Sequence, residues 1–371
     1  MANDQDTVIN ELCRIYADVP EIGLMLGAGV TKESGVPNWR GLALEFFERA
    51  RNRRFLRGAP RTTVKLLEDE LSRWRSGQTP NIELDPEKIL QFVCDHIKPK
   101  GKVQELIKQV LYEGKIETKS HGMVAARTFR ENKTLDAVIT FCAAVGDSPI
   151  ASAPGGRWQT NRKVGAILTT NYDNLVEGSF NSKYGKHLLH PVAREGAREV
   201  FRDRRIIPVY HMHGYVSHVD DPKSPDLVKA SDLVLTEKDY YQTFYNLLGF
   251  GNMAAASFFR QFHSIFVGCS MTDRNVRRIL YHLRRERLAS SQPRRHFAIL
   301  PRSIPERDDF DDAVLASFGV VSIRIDGGER GERIGSEVDA ILKRVYLSAE
   351  GVHEEHWLEA RRGSWKRGKQ R

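Results

Sequence analysis

The feature that most constrains this chain is a short apolar run that ends in a turn of small residues. The run Ile22 to Leu26 has the length of a buried strand. It leads directly into Gly27-Ala28-Gly29, and a helical pattern begins at Leu42 to Phe47 after a polar loop. A strand, a small-residue turn and a helix in this order are typical of nucleotide-binding α/β domains. The two glycines would let the backbone approach a phosphate, and the amides of the turn could point at it.

The usual dinucleotide fingerprint is incomplete in this turn. Its third glycine would stand at position 32, which is Lys32 here. The loop continues instead as Ser34-Gly35-Val36-Pro37-Asn38-Trp39-Arg40. The simpler interpretation is a tight turn followed by an ordinary helix cap, because short glycine motifs recur by chance.

Composition limits the class of protein. The 371 residues suffice for one large α/β domain with an insert or for two domains, and a hydrophobic fraction of 40% can support a packed core. No apolar run approaches the roughly 18 residues of a membrane span, and the polar N-terminus MANDQDTVIN is unlike a secretory signal. The four cysteines are scattered, without metal-ligand or disulfide spacing. We therefore expect a cytoplasmic protein without a membrane partner.

The charge balance leaves several kinds of partner open. The net charge of +9 permits contact with nucleic acid or an acidic partner but does not establish it. Basic residues concentrate in Arg49 to Arg61 and in Arg361 to Arg371, where six basic residues occur without an acidic one. Such runs are usually solvated faces or loose ends.

The middle of the chain has helical character. A first helix is predicted over residues 1–20, and the section from about 60 to 160 reads as a helical insert that projects from the sheet. Asp85 followed by Pro86 suits a helix start. Apolar residues then recur at helical spacing in 89–93, 103–111 and 135–142, and a loop is expected at 149–156.

Strand signals resume after this insert. They lie at Val164–Leu168, Ile206–Tyr210, Leu233–Leu235, Ser264–Val267, His296–Leu300 and Val320–Ile325, with helical patterns at Asp173–Phe180, Ala254–Phe262, Asp273–Leu288 and Arg333–Leu347. Alternating strands and helices predict an α/β fold, a Rossmann-like doubly wound sheet that is mostly parallel and covered on both faces. We expect one domain over residues 1–348 and a basic C-terminal tail over 349–371.

A second motif follows the strand Val164–Leu168 and reads Thr169-Thr170-Asn171-Tyr172-Asp173. Ligands of open α/β sheets lie beyond the carboxyl ends of the strands, so Asn171 and Asp173 are placed where a cofactor would bind. An amide can orient a water or a ribose hydroxyl, and a carboxylate can accept from a carboxamide. Alternatively, Asp173 simply caps the helix that it starts.

The third motif, His211-Met212-His213-Gly214, ends the strand Ile206–Tyr210. His213 suits a general base, because a neutral imidazole can take a proton from a ribose hydroxyl near neutral pH. His211 lies on the same face, two residues earlier. A metal site is conceivable, but no third ligand is indicated, and a structural histidine pair is the stronger interpretation.

A fourth motif reads Phe266-Val267-Gly268-Cys269-Ser270 and leads to Asp273 at a helix start. Gly268 and Ser270 could admit and hydrogen-bond a ribose or a phosphate there. Cys269 is better explained as a small filler than as a nucleophile, and Asp273 as a plain helix cap. The last strand ends at Asp326, which we include as a cofactor-binding candidate.

Taken together and in this order, the four motifs resemble the sirtuin superfamily over roughly residues 20 to 285. The loop from Gly27 to Arg40 looks like the sirtuin cofactor loop, with Asn38 in place of the usual Asp and Trp39 in place of the usual Phe. The resemblance implies NAD⁺ as the substrate. It also implies that Asn171 and Asp173 lie in the nicotinamide and ribose pocket, and that His213 is the catalytic histidine.

Further roles follow from the same resemblance. Asn171 would position the attacking water, His213 would engage the ribose hydroxyls, and Asp173 would hold the nicotinamide carboxamide. The other residues that we assign to the cofactor on this basis are Gly27, Ala28, Gly29, Thr31, Pro37, Arg40, Thr170, Gly268, Cys269 and Ser270. Asp326 joins them only because it follows the last strand. The segment Gly27 to Thr31 would cradle the diphosphate, and Arg40 would close the loop over it.

The chain departs from the sirtuin deacetylases at two points. Their motif has a Gln where Thr170 stands, and their zinc module needs paired cysteines that this sequence lacks, so no zinc module and no metal are expected. The TTNYD form, followed by Leu175 and Glu177, looks like the sirtuin-like domains of bacterial antiphage systems, which hydrolyse NAD⁺. The resemblance thus implies an NAD⁺ glycohydrolase with a role in antiphage defence.

The same resemblance implies partners. Some such subunits assemble with a HerA-type hexameric ATPase, so we expect a homo-oligomer larger than a dimer, a HerA-type partner, and contact with nucleic acid through that partner. Three other functions stay open from the sequence: an NAD-dependent protein deacylase, a subunit that binds NAD⁺ or ADP-ribose without turnover, and a nuclease. The last is the weakest, because no acidic metal-binding cluster stands out.

Overall fold

A computed structural model describes residues 2–79, 84–117, 124–144, 163–184, 188–193, 206–218, 233–287, 295–328, 331–350 and 352–363. The loop expected at 149–156 and the last residues of the basic tail, 364–371, lie outside these ranges. None of the helices in the described part of the chain is long and apolar enough to cross a membrane.

Across the ranges just given, seven strands form one sheet. They are β1 (Ile22–Leu26), β2 (Val164–Thr169), β3 (Leu189–Val192), β4 (Ile207–His211), β5 (Ser264–Val267), β6 (His296–Pro301) and β7 (Val320–Ile325). The order is β3-β4-β2-β1-β5-β6-β7, and every pairing is parallel. Strand order therefore reverses at β1, which has β2 on one side and β5 on the other.

Fourteen α-helices lie within the described ranges. They are α1 (Ala2–Asp18), α2 (Trp39–Asn52), α3 (Arg61–Arg75), α4 (Pro86–His96), α5 (Val103–Tyr112), α6 (Ala126–Arg130), α7 (Lys133–Ala143), α8 (Leu175–Tyr184), α9 (Glu237–Tyr245), α10 (Phe250–Gln261), α11 (Arg274–Arg287), α12 (Pro305–Ser317), α13 (Ile334–Leu347) and α14 (Glu354–Arg362).

The helices cover both faces of the sheet, as a parallel sheet requires. Successive residues of β1 show the division, because Leu24 and Leu26 enter one apolar core while Met25 enters the other. The smaller core lies under α10, α11 and α12, and the larger one under α1, α2 and the helices of the middle of the chain. The predicted α/β class, doubly wound and parallel, is confirmed.

The helical section after residue 60 does not project from the sheet as expected. Helices α3, α4 and α5 pack against α2, and α7 packs against α8 and α13. Residues such as Leu90, Leu106 and Val138 are fully buried in the same core as the sheet. The prediction that these segments are helical is confirmed. The sequence did not show that their apolar faces pack against helices that cover the sheet.

Part of the expected tail is also packed. Helix α14 contacts α7 and α13, and Trp357 in its middle is completely buried. Arg361 pairs with Asp339 at 2.8 Å. The basic composition of this segment hid an apolar pair, Trp357 and Ala360, that faces the core. Residues 352–363 are therefore a docked helix rather than a loose end.

Two strand predictions differ from the structure. Leu233–Leu235 is not a strand but the entry to α9, where Thr236 and Asp239 form a capping box. Strand β3 was missed because it is a short edge strand that contains Pro191, and proline is tolerated at such an edge.

Candidate active site

A cavity of about 640 Å³ lies beyond the carboxyl ends of β1, β2 and β5, where the strand order reverses. Open α/β sheets bind their ligands at this point. Most of the cavity wall comes from the turn and loop after β1, the starts of α2 and α4, the segment after β2, the end of β4, the helix α9, and the turn between β5 and α11 with the start of that helix. Gly27, Ala28, Gly29, Pro37, Arg40, Thr170, Asn171, Asp173, His213, Gly268, Cys269 and Ser270 all line it.

The floor of the cavity is made by two glycine turns in close contact. Gly27 N donates to Val267 O at 3.0 Å, and Gly29 N donates to Gly268 O at 2.9 Å. A Cβ at Gly29 would lie 2.7 Å from Gly268 Cα, and Gly268 itself has φ +67°. The glycines are thus required by the packing of the two turns. Because the Gly27 and Gly29 amides are already used, they are not available to a phosphate.

Asn171 is held by its amide nitrogen. Its Nδ2 donates to Gly27 O at 3.2 Å, and its backbone N donates to Thr169 Oγ1 at 3.0 Å. Since a carbonyl can only accept, Nδ2 is fixed at this position, and Oδ1 is the other end of the amide. Within the described part of the chain Oδ1 has no hydrogen-bond partner, so it is free to accept from a water or a hydroxyl.

Asp173 is a buried carboxylate with two partners. Oδ1 accepts from Leu175 N at 3.1 Å at the start of α8, and Oδ2 accepts from Thr31 Oγ1 at 3.2 Å. Burial raises the pKa of Asp173 from its ordinary 3.8 to about 6, against the opposing hydrogen bonds. Thr31 and Asp173 therefore connect the loop after β1 to the helix after β2, and Asp173 does act as a helix cap.

His211 is a structural residue under the cavity. Its Nδ1 lies 2.9 Å from Asn171 O and its Nε2 lies 2.8 Å from Glu177 Oε1, in a fully buried environment. Desolvation lowers its pKa, but Glu177 and the Asn171 carbonyl outweigh this, and the net shift is upward. His211 therefore holds the backbone of Asn171, and both of its ring nitrogens are occupied.

His213 lies at the cavity wall with different surroundings. Its Nε2 is 3.4 Å from Asp273 Oδ2, and its ring contacts Tyr240 edge-on at 5.4 Å. Desolvation lowers the pKa of His213 below its ordinary 6.5, partly offset by Asp273 and Glu87. The imidazole is therefore neutral near pH 7, the form that a general base needs.

Aromatic side chains line one side of the cavity. Trp39 stacks on Tyr172 with ring centroids 5.8 Å apart and meets Tyr240 edge-on at 6.5 Å. Tyr172 donates to the carbonyl of Val234, which fixes the segment leading into α9. These rings make an apolar wall that can exclude water from one side of a bound ligand.

Cationic side chains lie at the cavity as well. Arg40 pairs with Glu70 of α3 at 3.0 Å, and Glu70 is almost completely buried. This pair ties the start of α2 to α3. Lys32, Arg274 and Arg277 also line the cavity and can favour an anionic group such as a diphosphate.

The remaining predicted residues fall into two groups. Cys269 lies in the cavity wall beside the carbonyls of Met25 and Val267, and desolvation raises its pKa, so it is not an activated thiolate. Ser270 is exposed and bonds to Thr272. Asp326 stands apart from the residues that line the cavity. It ends the edge strand β7 and pairs with Arg333 at 2.9 Å.

No group of three or more His, Cys, Asp and Glu side chains that could hold a metal ion occurs among the residues that the structure describes. Both ring nitrogens of His211 already have hydrogen-bond partners, Asn171 O and Glu177 Oε1.

The fold is α/β and doubly wound, and its cavity lies at the point where the strand order reverses. Residues 165–323 match a family described as the SIR2-like domain. The matched region contains the β2, β4 and β5 strand ends with Asn171, His213 and Gly268, whereas the turn after β1 precedes it. The match supports the resemblance to the sirtuin-like superfamily and, with it, an activity that uses NAD⁺. No curated protein matches the chain significantly.

Sequence reasoning missed several residues of this site. Tyr240 and Glu87 lie on α9 and α4, which carry none of the four sequence motifs. The only sequence signal near them was Asp85-Pro86, which indicates the start of α4. Asp273 was read as a helix cap, which it is, but its distance from His213 depends on the pairing of β5 with β1 and could not be read from spacing.

Proposed function

We propose that this chain is an NAD⁺ hydrolase that cleaves the nicotinamide–ribose bond to give nicotinamide and ADP-ribose. The observation that carries the proposal is that Asn171 and Asp173 of one motif, His213 of another and the two glycine turns line one cavity, although these four segments are distant in the sequence. The SIR2-like match over residues 165–323 supports NAD⁺ as the substrate.

The proposed chemistry uses these side chains in separate roles. Departure of nicotinamide leaves positive charge on the ribose, and a water adds to the anomeric carbon. Asn171 Oδ1 accepts a hydrogen bond from that water and positions it. Neutral His213 takes a proton from the ribose hydroxyls or the water and later releases it to solvent, so that one proton is formed for each NAD⁺ cleaved. Asp173 accepts from the departing carboxamide.

Single-turnover measurement of NAD⁺ loss tests this assignment. We expect Asn171→Ala and His213→Ala each to lose at least about a hundredfold in rate, the usual scale for a positioned acid or base. His282→Ala is the matched control, because His282 is an exposed histidine of α11 outside the cavity wall. Undiminished NAD⁺ loss in either variant at intact fold would remove the mechanism.

Product analysis separates the alternatives. Turnover of an acetylated peptide with release of acetylated ADP-ribose, faster than plain hydrolysis, would identify a deacylase. Tight NAD⁺ binding without nicotinamide release, even with a partner present, would identify a binding subunit.

We further propose that the enzyme acts in the cytoplasm as an effector of antiphage defence. The support is the resemblance of Thr169 to Asp173, with Leu175 and Glu177, to such domains. We also propose that the chain forms a homo-oligomer larger than a dimer and binds a HerA-type hexameric ATPase. Contact with nucleic acid would occur through this ATPase. Light scattering tests the first, and a monomer at micromolar concentration would refute it. Measuring NAD⁺ loss with and without the ATPase tests the second.

A further inference from the structure

His213 has a carboxylate neighbour that the sequence marked only as a helix cap. The His213 side chain is 4% exposed, and its Nε2 lies 3.4 Å from Asp273 Oδ2. No hydrogen-bond partner for this nitrogen occurs within the described ranges. The Asp273 carboxylate thus lies close to a buried nitrogen that has no hydrogen bond, and Asp273 also lines the cavity.

The helix start fixes the orientation of Asp273. Its Oδ1 accepts from Val276 N at 2.8 Å, and its carbonyl accepts from Arg277 N at 3.1 Å. With Oδ1 committed to the N-terminus of α11, Oδ2 is directed toward His213. A small closing movement would bring the two atoms into a charge-assisted hydrogen bond, as catalytic contacts commonly tighten when substrate binds.

We propose that Asp273 is the positioning partner of His213: it orients the imidazole and stabilises the imidazolium that forms when His213 accepts a proton. The catalytic role of Asp273 in this inference rests on the proposed NAD⁺ hydrolysis. The proximity of Asp273 and His213 rests only on the distances in the structure. A carboxylate that holds a histidine in one orientation and stabilises its cationic form is a recurrent device of general base catalysis.

Other charges around the cavity act on the same histidine. Glu87 of α4 favours the imidazolium as Asp273 does, while burial disfavours it. The neighbouring helices contribute Glu87, Lys88, Glu237, Tyr240, Arg274 and Arg277 to the cavity wall. Because Asp273 raises the pKa of His213 relative to burial alone, removing its charge should lower that pKa further.

The test uses the full chain with Asp273 replaced by two neutral residues that still cap helices, Asp273→Asn and Asp273→Ser. Asp95→Asn is the control, since Asp95 is a half-exposed carboxylate of α4 that pairs with Lys238 outside the cavity. The first readout is the titration of the His213 imidazole by NMR, assigned with His213→Gln. The second is kcat and KM for NAD⁺ as a function of pH.

In both Asp273 variants we expect His213 to titrate at lower pH, and the acidic limb of the kcat profile to move the same way. The value of kcat near neutral pH should fall roughly tenfold to a hundredfold with KM little changed, as for other partners that orient a catalytic group. Asp95→Asn should match the wild type in both readouts.

An unchanged His213 titration in the two variants would overturn the pairing. If the wild type releases no nicotinamide, the proposed function fails, but the titration still decides whether Asp273 and His213 interact. A shifted titration with unchanged kcat would show that the pair exists without a positioning role, and would also overturn the proposal.

Discussion

His211 and His213 lie two residues apart at the end of β4, yet their surroundings shift their pKa values in opposite directions. His211 is held between Glu177 and the Asn171 carbonyl, and the net shift of its pKa is upward. His213 faces the cavity, and desolvation lowers its pKa. One histidine therefore serves the structure with both nitrogens, while the other keeps a neutral ring at the cavity.

Separate alanine substitutions should divide these roles. His211→Ala leaves Glu177 buried without its partner, so we expect the free energy of unfolding to fall by roughly 3–5 kcal/mol. His213→Ala should cost much less stability and at least about a hundredfold in NAD⁺ cleavage. Urea unfolding and NAD⁺ turnover measure the two effects. Equal loss of activity in two folded variants, with zinc stimulating only the wild type, would instead indicate a metal site.

Asp173 predicts a pH dependence of stability. Its folded pKa of about 6 lies above its ordinary 3.8. Between these values the unfolded chain loses the proton while the folded chain keeps it, so stability falls as pH rises from about 4 to 6. The Asp173 contribution is at most about 3 kcal/mol. We expect Asp173→Asn to remove this decline, as measured by urea unfolding at both ends of the range. Parallel pH profiles for the variant and the wild type would contradict it.

At the scale of the elements, the site depends on the contact between the turns after β1 and β5. A Cβ at Gly29 would lie 2.7 Å from Gly268 Cα, which is a backbone atom and cannot move aside cheaply. The cavity floor is therefore sensitive to a single methyl group.

We expect Gly29→Ala to reduce the unfolding free energy by about 1–3 kcal/mol, the usual cost of overpacking, and to abolish NAD⁺ binding together with cleavage. Gly101→Ala is the control, because a Cβ at Gly101 meets open space. Thermal unfolding and equilibrium NAD⁺ binding measure the outcome. A stable Gly29→Ala protein that binds NAD⁺ normally would show that the turns can separate without consequence.

The order of the elements was predictable where patterns were local. The runs that became β1, β2, β4, β5, β6 and β7 could be recognised from the sequence. The motif residues that follow β1, β2, β4 and β5 line one cavity because neighbouring parallel strands share a carboxyl edge. Tyr240 and Glu87 could not be assigned, since helices α9 and α4 reach the cavity only through packing. Asp326 also directly follows an apolar strand, but that strand, β7, lies at the edge of the sheet, and Asp326 is not among the residues that line the cavity.

At the scale of the whole molecule, α14 closes the larger core. Trp357 packs against Tyr346 at 5.5 Å and against Phe141 at 6.5 Å between ring centroids. It thereby joins the last described helix to α13 and to α7 of the middle section. The sequence suggested a loose basic end because charged residues surround this single large apolar side chain.

Trp357→Ala should lower the unfolding free energy by roughly 3–5 kcal/mol, the usual cost of deleting a buried Trp. Leu358→Ala, on the exposed side of the same helix, should change it by only about 0.5 kcal/mol. Chemical unfolding of both variants measures the difference. Wild-type stability of the Trp357→Ala protein would contradict the conclusion that α14 is packed on the larger core.

The contact between the two glycine turns also sets an order in time. During synthesis the turn that contains Gly27 and Gly29 is made early, whereas its counterpart at Gly268 follows only after most of the sheet has been made. Until then the first turn has neither its hydrogen-bond acceptors nor the wall that carries Asp273. A nascent chain that ends before the turn between β5 and α11 therefore holds no finished cavity, so the proposed NAD⁺ chemistry can begin in the cell only after that turn has been made.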